Sequence, residues 1–149
     1  MRTFFKIVAF SFLIILLNSC IDAEQSKSIV LGDMEISQFK DIDFADLQKT
    51  IDNRADVSNG MDALRVYYPN DQSVNSGNNF TTKSVSNKFG SNYLSFKQEN
   101  LKNDSLQAIA FYMEYDKSVT GKIEILDFKE SYLCQEGRGH QEWSPELCK

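Results

Sequence analysis

The sequence predicts an α+β fold: two short N-terminal helices packed on an antiparallel four-stranded meander, followed by a C-terminal loop bracketed by cysteines. Three features of the chain carry this reading. Two early stretches space their apolar residues at helical intervals, and four later runs are rich in aromatic and β-branched residues with turn signals between them. About 120 residues then remain for a single core, which suits one domain.

The first helix is expected in "DFADLQKTIDNR", where Phe44, Leu47 and Ile51 fall on one face and Asp43 is the candidate N-cap. The second is expected in "NGMDALRVYYP". Met61, Leu64 and Tyr68 repeat the spacing and the helix must stop before Pro69, although this stretch also reads as a strand. The Asn/Ser-rich "PNDQSVNSGNN" (69–79) is the expected long loop.

From Phe80 onward, "FTTKSVS", "NYLSFKQENL", "SLQAIAFYMEYDK" and "KIEILDFKESYLC" read as four strands, with reversals at Asn103-Asp104 and Thr120-Gly121. The third run sets Ile109, Phe111, Met113 and Tyr115 on one face and Leu106, Ala108, Ala110 and Tyr112 on the other. Apolar residues on both faces predict a central strand covered on both sides. In the fourth run Ile123 and Ile125 change phase to Leu126 and Phe128, which predicts a bulge or a twist there.

The N-terminus, "MRTFFKIVAFSFLIILLNSC", has the layout of a secretory signal peptide: Arg2 and Lys6, then an apolar run over 7–17, then small polar residues. The run is too short for a spanning helix, which takes about 20 apolar residues. Leu17-Asn18-Ser19-Cys20 resembles the lipobox of bacterial lipoproteins, with Asn18 in place of the usual Ala, Ser or Thr. The resemblance implies cleavage before Cys20 and lipid attachment to its sulfur. The domain plan is then a signal peptide over 1–19, a lipidated tether over 20–28 and one α+β domain over 29–149. Two or three acyl chains give stable anchoring where one gives marginal binding. The competing reading is an ordinary secreted protein with a spare thiol. Ile21 stands where an Asp would retain a lipoprotein at the inner membrane, so the expected destination is the outer membrane.

Lipidation of Cys20 leaves Cys134 and Cys148 as one pair in an oxidising compartment, and the C-terminal loop becomes disulfide-stapled. Loss of residues 1–19 removes two basic residues and no acids, so the mature chain carries 14 basic against 21 acidic residues. Nucleic acid, which needs a basic footprint, is thereby disfavoured. The expected partners are the bilayer, through acylated Cys20, and a basic envelope or foreign protein. An ordinary solvated acidic surface is the bland alternative.

Within "CQEGRGHQEWSPELC" (134–148), a disulfide closing fifteen residues stabilises by about 3 kcal/mol in the chain-entropy model. Gly137 and Gly139 flank Arg138 and free its backbone to hold the guanidinium toward a carboxylate, either a ligand's or an internal one. Trp143 reads first as a packing anchor. His140, the only histidine, is a candidate base or ligand. With no free thiolate beside it, however, it makes a poor zinc site, so no metal or other cofactor is expected. "HQE…PELC" echoes the zinc deaminase signature but lacks its cysteines. "DQSVNSG" (71–77) and "DIDFAD" (41–46) fail as calcium loops for want of a correctly placed Gly and closing Glu. No phosphate loop, dinucleotide fingerprint, nucleophile elbow or zincin motif occurs.

"ENLKNDSLQA" (99–108) together with the bracketed tail resembles a pattern in small exported bacterial proteins of unassigned function. It implies a last strand that leads into a stapled tail. The function expected is a non-enzymatic lipoprotein with a binding or scaffolding role. One alternative is an inhibitor of a basic hydrolase such as lysozyme, for which "SGNNF" (76–80) is the nearest approach to the inhibitor signature. The other is an enzyme or metal protein centred on His140. Arg138, His140 and Trp143 form the candidate binding set if they face outward together, and a structural lock if they face the sheet. The lock is the expectation.

Overall fold

The computed structural model describes residues 34–69, 79–86 and 91–149. The expected signal peptide, Cys20, the expected tether and most of the Asn/Ser-rich loop lie outside these residues, as does the "DQSVNSG" stretch.

Five antiparallel strands form one sheet in the order β1-β5-β4-β3-β2: β1 (Lys40–Asp41), β2 (Asn79–Ser86), β3 (Asn92–Glu99), β4 (Leu106–Lys117) and β5 (Ile123–Cys134). Two short helices, α1 (Ala45–Asp52) and α2 (Gly60–Tyr67), lie between β1 and β2 in the chain. This corrects the expected fold class. The sheet has five strands rather than four, and it dominates the molecule. The helices do not lead the chain either, because a 3-10 turn (Ile36–Gln38) and β1 precede them. The reason is physical: β1 has only two residues, too few for any alternation to register. Lys40 and Asp41 are a strand because they pair with Glu130 and Lys129, far away in sequence.

Strand β4 takes the centre, and each of its residues from 108 to 113 is buried. One face carries Ile109, Phe111, Met113 and Tyr115, packed with Leu94 and Phe96 of β3 and with Ile125 and Phe128 of β5. Leu47, Ile51, Ala63 and Leu64 of the helices close over them. The other face carries Ala110 and Tyr112, covered by Tyr93, Met34 and Phe39 with Trp143 packed alongside. Burial on both faces explains why β4 reads as a nearly unbroken apolar run.

The phase change in β5 is a bulge. Glu114 pairs with Asp127 and Tyr115 with Ile125, so Leu126 has no partner and is 43% exposed. Asn59 caps α2 by accepting the Asp62 N–H at 3.1 Å. Helix α1 begins one residue later than expected, with Phe44 at the N-cap; the Asp43 carboxylate still accepts the Ala45 N–H at 3.1 Å. Gly60 is required by close packing: a Cβ there would sit 2.5 Å from the Tyr115 ring.

The outer edge of β5 is closed by three segments: helix α1, β1 with the adjoining Ile42, and the tail. The side chain of Gln48 donates to the Ile123 carbonyl at 3.0 Å and accepts the Ile125 N–H at 2.8 Å. Ile42 donates to the Phe128 carbonyl at 2.9 Å, and β1 pairs at 129 and 130. Ser144, from the tail, exchanges both backbone bonds with Tyr132 at 2.9 and 3.0 Å, and the Cys134 N–H reaches the His140 carbonyl at 3.3 Å. An edge covered in this way offers no template for pairing with another chain.

Candidate functional site

The tail after β5 is held by a disulfide between Cys134 and Cys148, with Cα atoms 5.5 Å apart. Its turn needs both glycines: Gly137 has φ 76° and Gly139 φ 146°, where an L side chain is strained. At Gly139 space also forbids a side chain, because a Cβ would lie 2.9 Å from the Cys134 sulfur. Arg138 between them donates its N–H to the Gln135 carbonyl at 2.9 Å and accepts the Lys149 N–H at 2.8 Å. The Ser105 hydroxyl donates to the Lys149 carbonyl at 2.6 Å, so the last residue is tied to the turn before β4.

His140 sits half-buried against the disulfide, its Nε2 3.3 Å and Nδ1 3.6 Å from Sγ of Cys134. Nδ1 lies 2.9 Å from the Glu142 carbonyl and Nε2 2.8 Å from the Glu146 carbonyl. A neutral imidazole has one N–H and can donate to one of these, whereas the protonated ring donates to both. No side-chain hydroxyl is among the hydrogen-bond partners of His140 in the described residues; the nearest side-chain heteroatom is the disulfide sulfur of Cys134.

The three tail residues are not brought together. Trp143 packs on the second face of the sheet against the cluster of Met34, Phe39, Tyr93, Ala110 and Tyr112. His140 lies on the disulfide. The side chain of Arg138 is exposed, and among the described residues it forms no ion pair. Of the three, Arg138 is exposed while His140 and Trp143 are half-buried.

A second polar cluster went unread in the sequence. Glu130, 9% exposed, receives Lys40 at 3.0 Å, and the Lys40 ammonium lies 5.0 Å above the Tyr132 ring. The adjacent Tyr132 and Glu130 hold the Lys40 ammonium well above its ordinary range. Burial pushes the Tyr132 phenol up to about 12, with Glu130 reinforcing the shift. Burial likewise raises Tyr67, which also feels Glu130. One signal was available: Glu130 falls in step with Phe128 and Tyr132 on the core-facing side of β5, where a lone acid on an apolar stripe needs a partner. Its partner Lys40 could not be named, because β1 leaves no pattern.

Across the helices, a hollow of about 260 Å³ is lined by Arg54, Asp56, Val57, Asp62, Arg65 and Val66. Arg54 pairs with Asp56 at 2.5 Å and Arg65 approaches Asp62 at 3.7 Å, so local acids already engage both guanidinium groups. Asp41–Asp46, the other acid-rich stretch, is also committed in part: Asp41 pairs with Lys129, and the Asp43 carboxylate accepts the Ala45 N–H.

Among the described residues no helix is long and apolar enough to cross a membrane. No protein-family model matches the chain, and neither a curated protein nor a solved structure matches it.

Proposed function

We propose that this chain is an exported bacterial lipoprotein. In this reading a bilayer holds it through an acylated Cys20, and its folded domain binds or scaffolds a partner in the cell envelope without catalysis. The observation that carries the reading is the Cys134–Cys148 bond. Disulfides persist in oxidising, extracytoplasmic compartments. With those two sulfurs joined, Cys20 is the one cysteine left over, and it follows the apolar run of a signal-peptide pattern after only Asn18 and Ser19. Ile21 at the next position favours the outer membrane.

Two features of the domain favour binding over catalysis. His140, the sole histidine, sets both ring nitrogens against backbone carbonyls at 2.9 and 2.8 Å. The ionisable cluster of half-buried Lys40 with buried Glu130 and Tyr132 is internally paired. The acidic mature chain favours a basic partner protein over nucleic acid.

Radiolabelled palmitate fed to cells expressing the full chain should enter the protein, which should then sediment with membranes. Cys20→Ala should abolish both label and sedimentation. A wild-type chain that takes up no label, or a variant that keeps it, refutes the anchor.

A further inference from the structure

The geometry points to a redox-gated metal site: when the Cys134–Cys148 bond is reduced, both sulfurs and the His140 imidazole form a three-ligand set for a zinc-class ion. The sequence argued against a metal because oxidised cysteines cannot coordinate. It could not show that the tail folds the imidazole onto the sulfurs. The ligand atoms of Cys134, His140 and Cys148 all lie within 4.8 Å of one another.

The spacing suits coordination. Metal–sulfur and metal–nitrogen bonds of about 2.3 and 2.05 Å at a tetrahedral angle place nitrogen and sulfur about 3.6 Å apart. The two ring nitrogens of His140 stand 3.3 and 3.6 Å from Sγ of Cys134. Coordination requires the sulfurs to part to about 3.8 Å and the ring to turn, so that Nε2 leaves the Glu146 carbonyl for the metal. Nδ1 can keep the Glu142 carbonyl, the kind of outer contact that orients metal-bound imidazoles.

The backbone is placed to survive reduction. The Tyr132–Ser144 bridge, the Lys149 N–H to Arg138 carbonyl bond and the Ser105 hydroxyl bond to Lys149 hold both ends of the tail without the sulfurs. Cys134 itself is at the end of β5, paired to Leu106. Three protein ligands leave a fourth position, and Cys148 and His140 are only half-buried, so water completes the shell. Exposed Glu136, Glu142 and Glu146 surround the loop and favour a cation there.

The chemistry balances with a dithiol reductant. Two electrons and two protons pass from the dithiol to the Cys134–Cys148 bond, giving two thiols and an oxidised dithiol. Binding of the divalent ion then releases both thiol protons to solvent.

The test uses the full chain carrying Cys20→Ala, so that the third sulfur takes no part, with cobalt(II) as the spectroscopic stand-in for zinc(II). After reduction by a phosphine, one cobalt per chain should give sulfur-to-metal charge-transfer bands and tetrahedral visible bands that zinc(II) displaces. The oxidised chain should give none. His140→Ala should weaken binding by about 100-fold, and Cys148→Ser should remove the two-thiolate spectrum. If the reduced chain loses its fold and the ion restores it, the site is supported. A reduced chain without charge-transfer bands, folded or not, overturns it. Equal affinity in His140→Ala overturns it too.

Discussion

Gln48 takes the place of a strand partner for Ile125. Its Oε1 accepts the Ile125 N–H at 2.8 Å while its Nε2 serves the Ile123 carbonyl at 3.0 Å. One helix side chain thus satisfies two backbone groups at the outer edge of β5, where β1 does not reach. Gln48→Ala leaves both without protein partners, and the expected loss is about 1–3 kcal/mol. Gln48→Glu should also destabilise, because a carboxylate cannot donate to the Ile123 carbonyl. Urea denaturation of the three proteins measures both effects.

Removing the staple should cost about 3 kcal/mol in the chain-entropy model, for a ring spanning fifteen residues. Cys148→Ser and chemical reduction of the wild type should shift the urea midpoint by similar amounts. Because Tyr132 and Ser144 pair independently of the sulfurs, amide protection at these two positions should survive in the variant.

The two tail glycines should respond differently to alanine. At Gly137 nothing lies within 4 Å of an added Cβ, so only the positive φ of 76° is penalised, at about 1 kcal/mol. At Gly139 the Cβ also meets the Cys134 sulfur at 2.9 Å, and the expected loss rises to about 2–3 kcal/mol. Thermal or urea midpoints of the pair separate the two causes, and equal losses would contradict the close approach.

Trp143 should be a stability residue. Its half-buried side chain packs against the cluster of Met34, Phe39, Tyr93, Ala110 and Tyr112, and Trp143→Ala should cost about 2–3 kcal/mol, less than a fully buried tryptophan. As the chain has a single tryptophan, its fluorescence reports on this contact directly: emission should shift to the red when the protein unfolds.

Stability should fall in alkali. Burial raises the Tyr132 phenol from 10.0 to about 12, so between these values the unfolded chain gives up a proton that the folded chain keeps. The unfolded state then binds fewer protons, and stability decreases as pH rises. This contribution is fully present below pH 10 and lost as pH passes 12. Lys40, also raised, acts in the same direction. Urea midpoints taken across this range should fall less steeply in Tyr132→Phe than in the wild type.

By itself the sequence determined what local chemistry controls. Helix spacing at Leu47, Ile51 and Leu64, strand runs with turn residues between them, and the phase change at Leu126 are properties of neighbouring residues. The double-sided apolar pattern of β4 likewise announced a central strand. Only the tertiary structure decided what depends on residues distant in sequence. Lys40 and Asp41 become a strand through Glu130 and Lys129, and Gln48 closes an edge more than seventy residues away. Trp143 turns inward while Arg138 stays out, although only four residues lie between them. His140 comes to rest on a sulfur because Gly139 lets the chain double back. Such placements follow from long-range pairing and close packing, which leave no periodic mark in the chain.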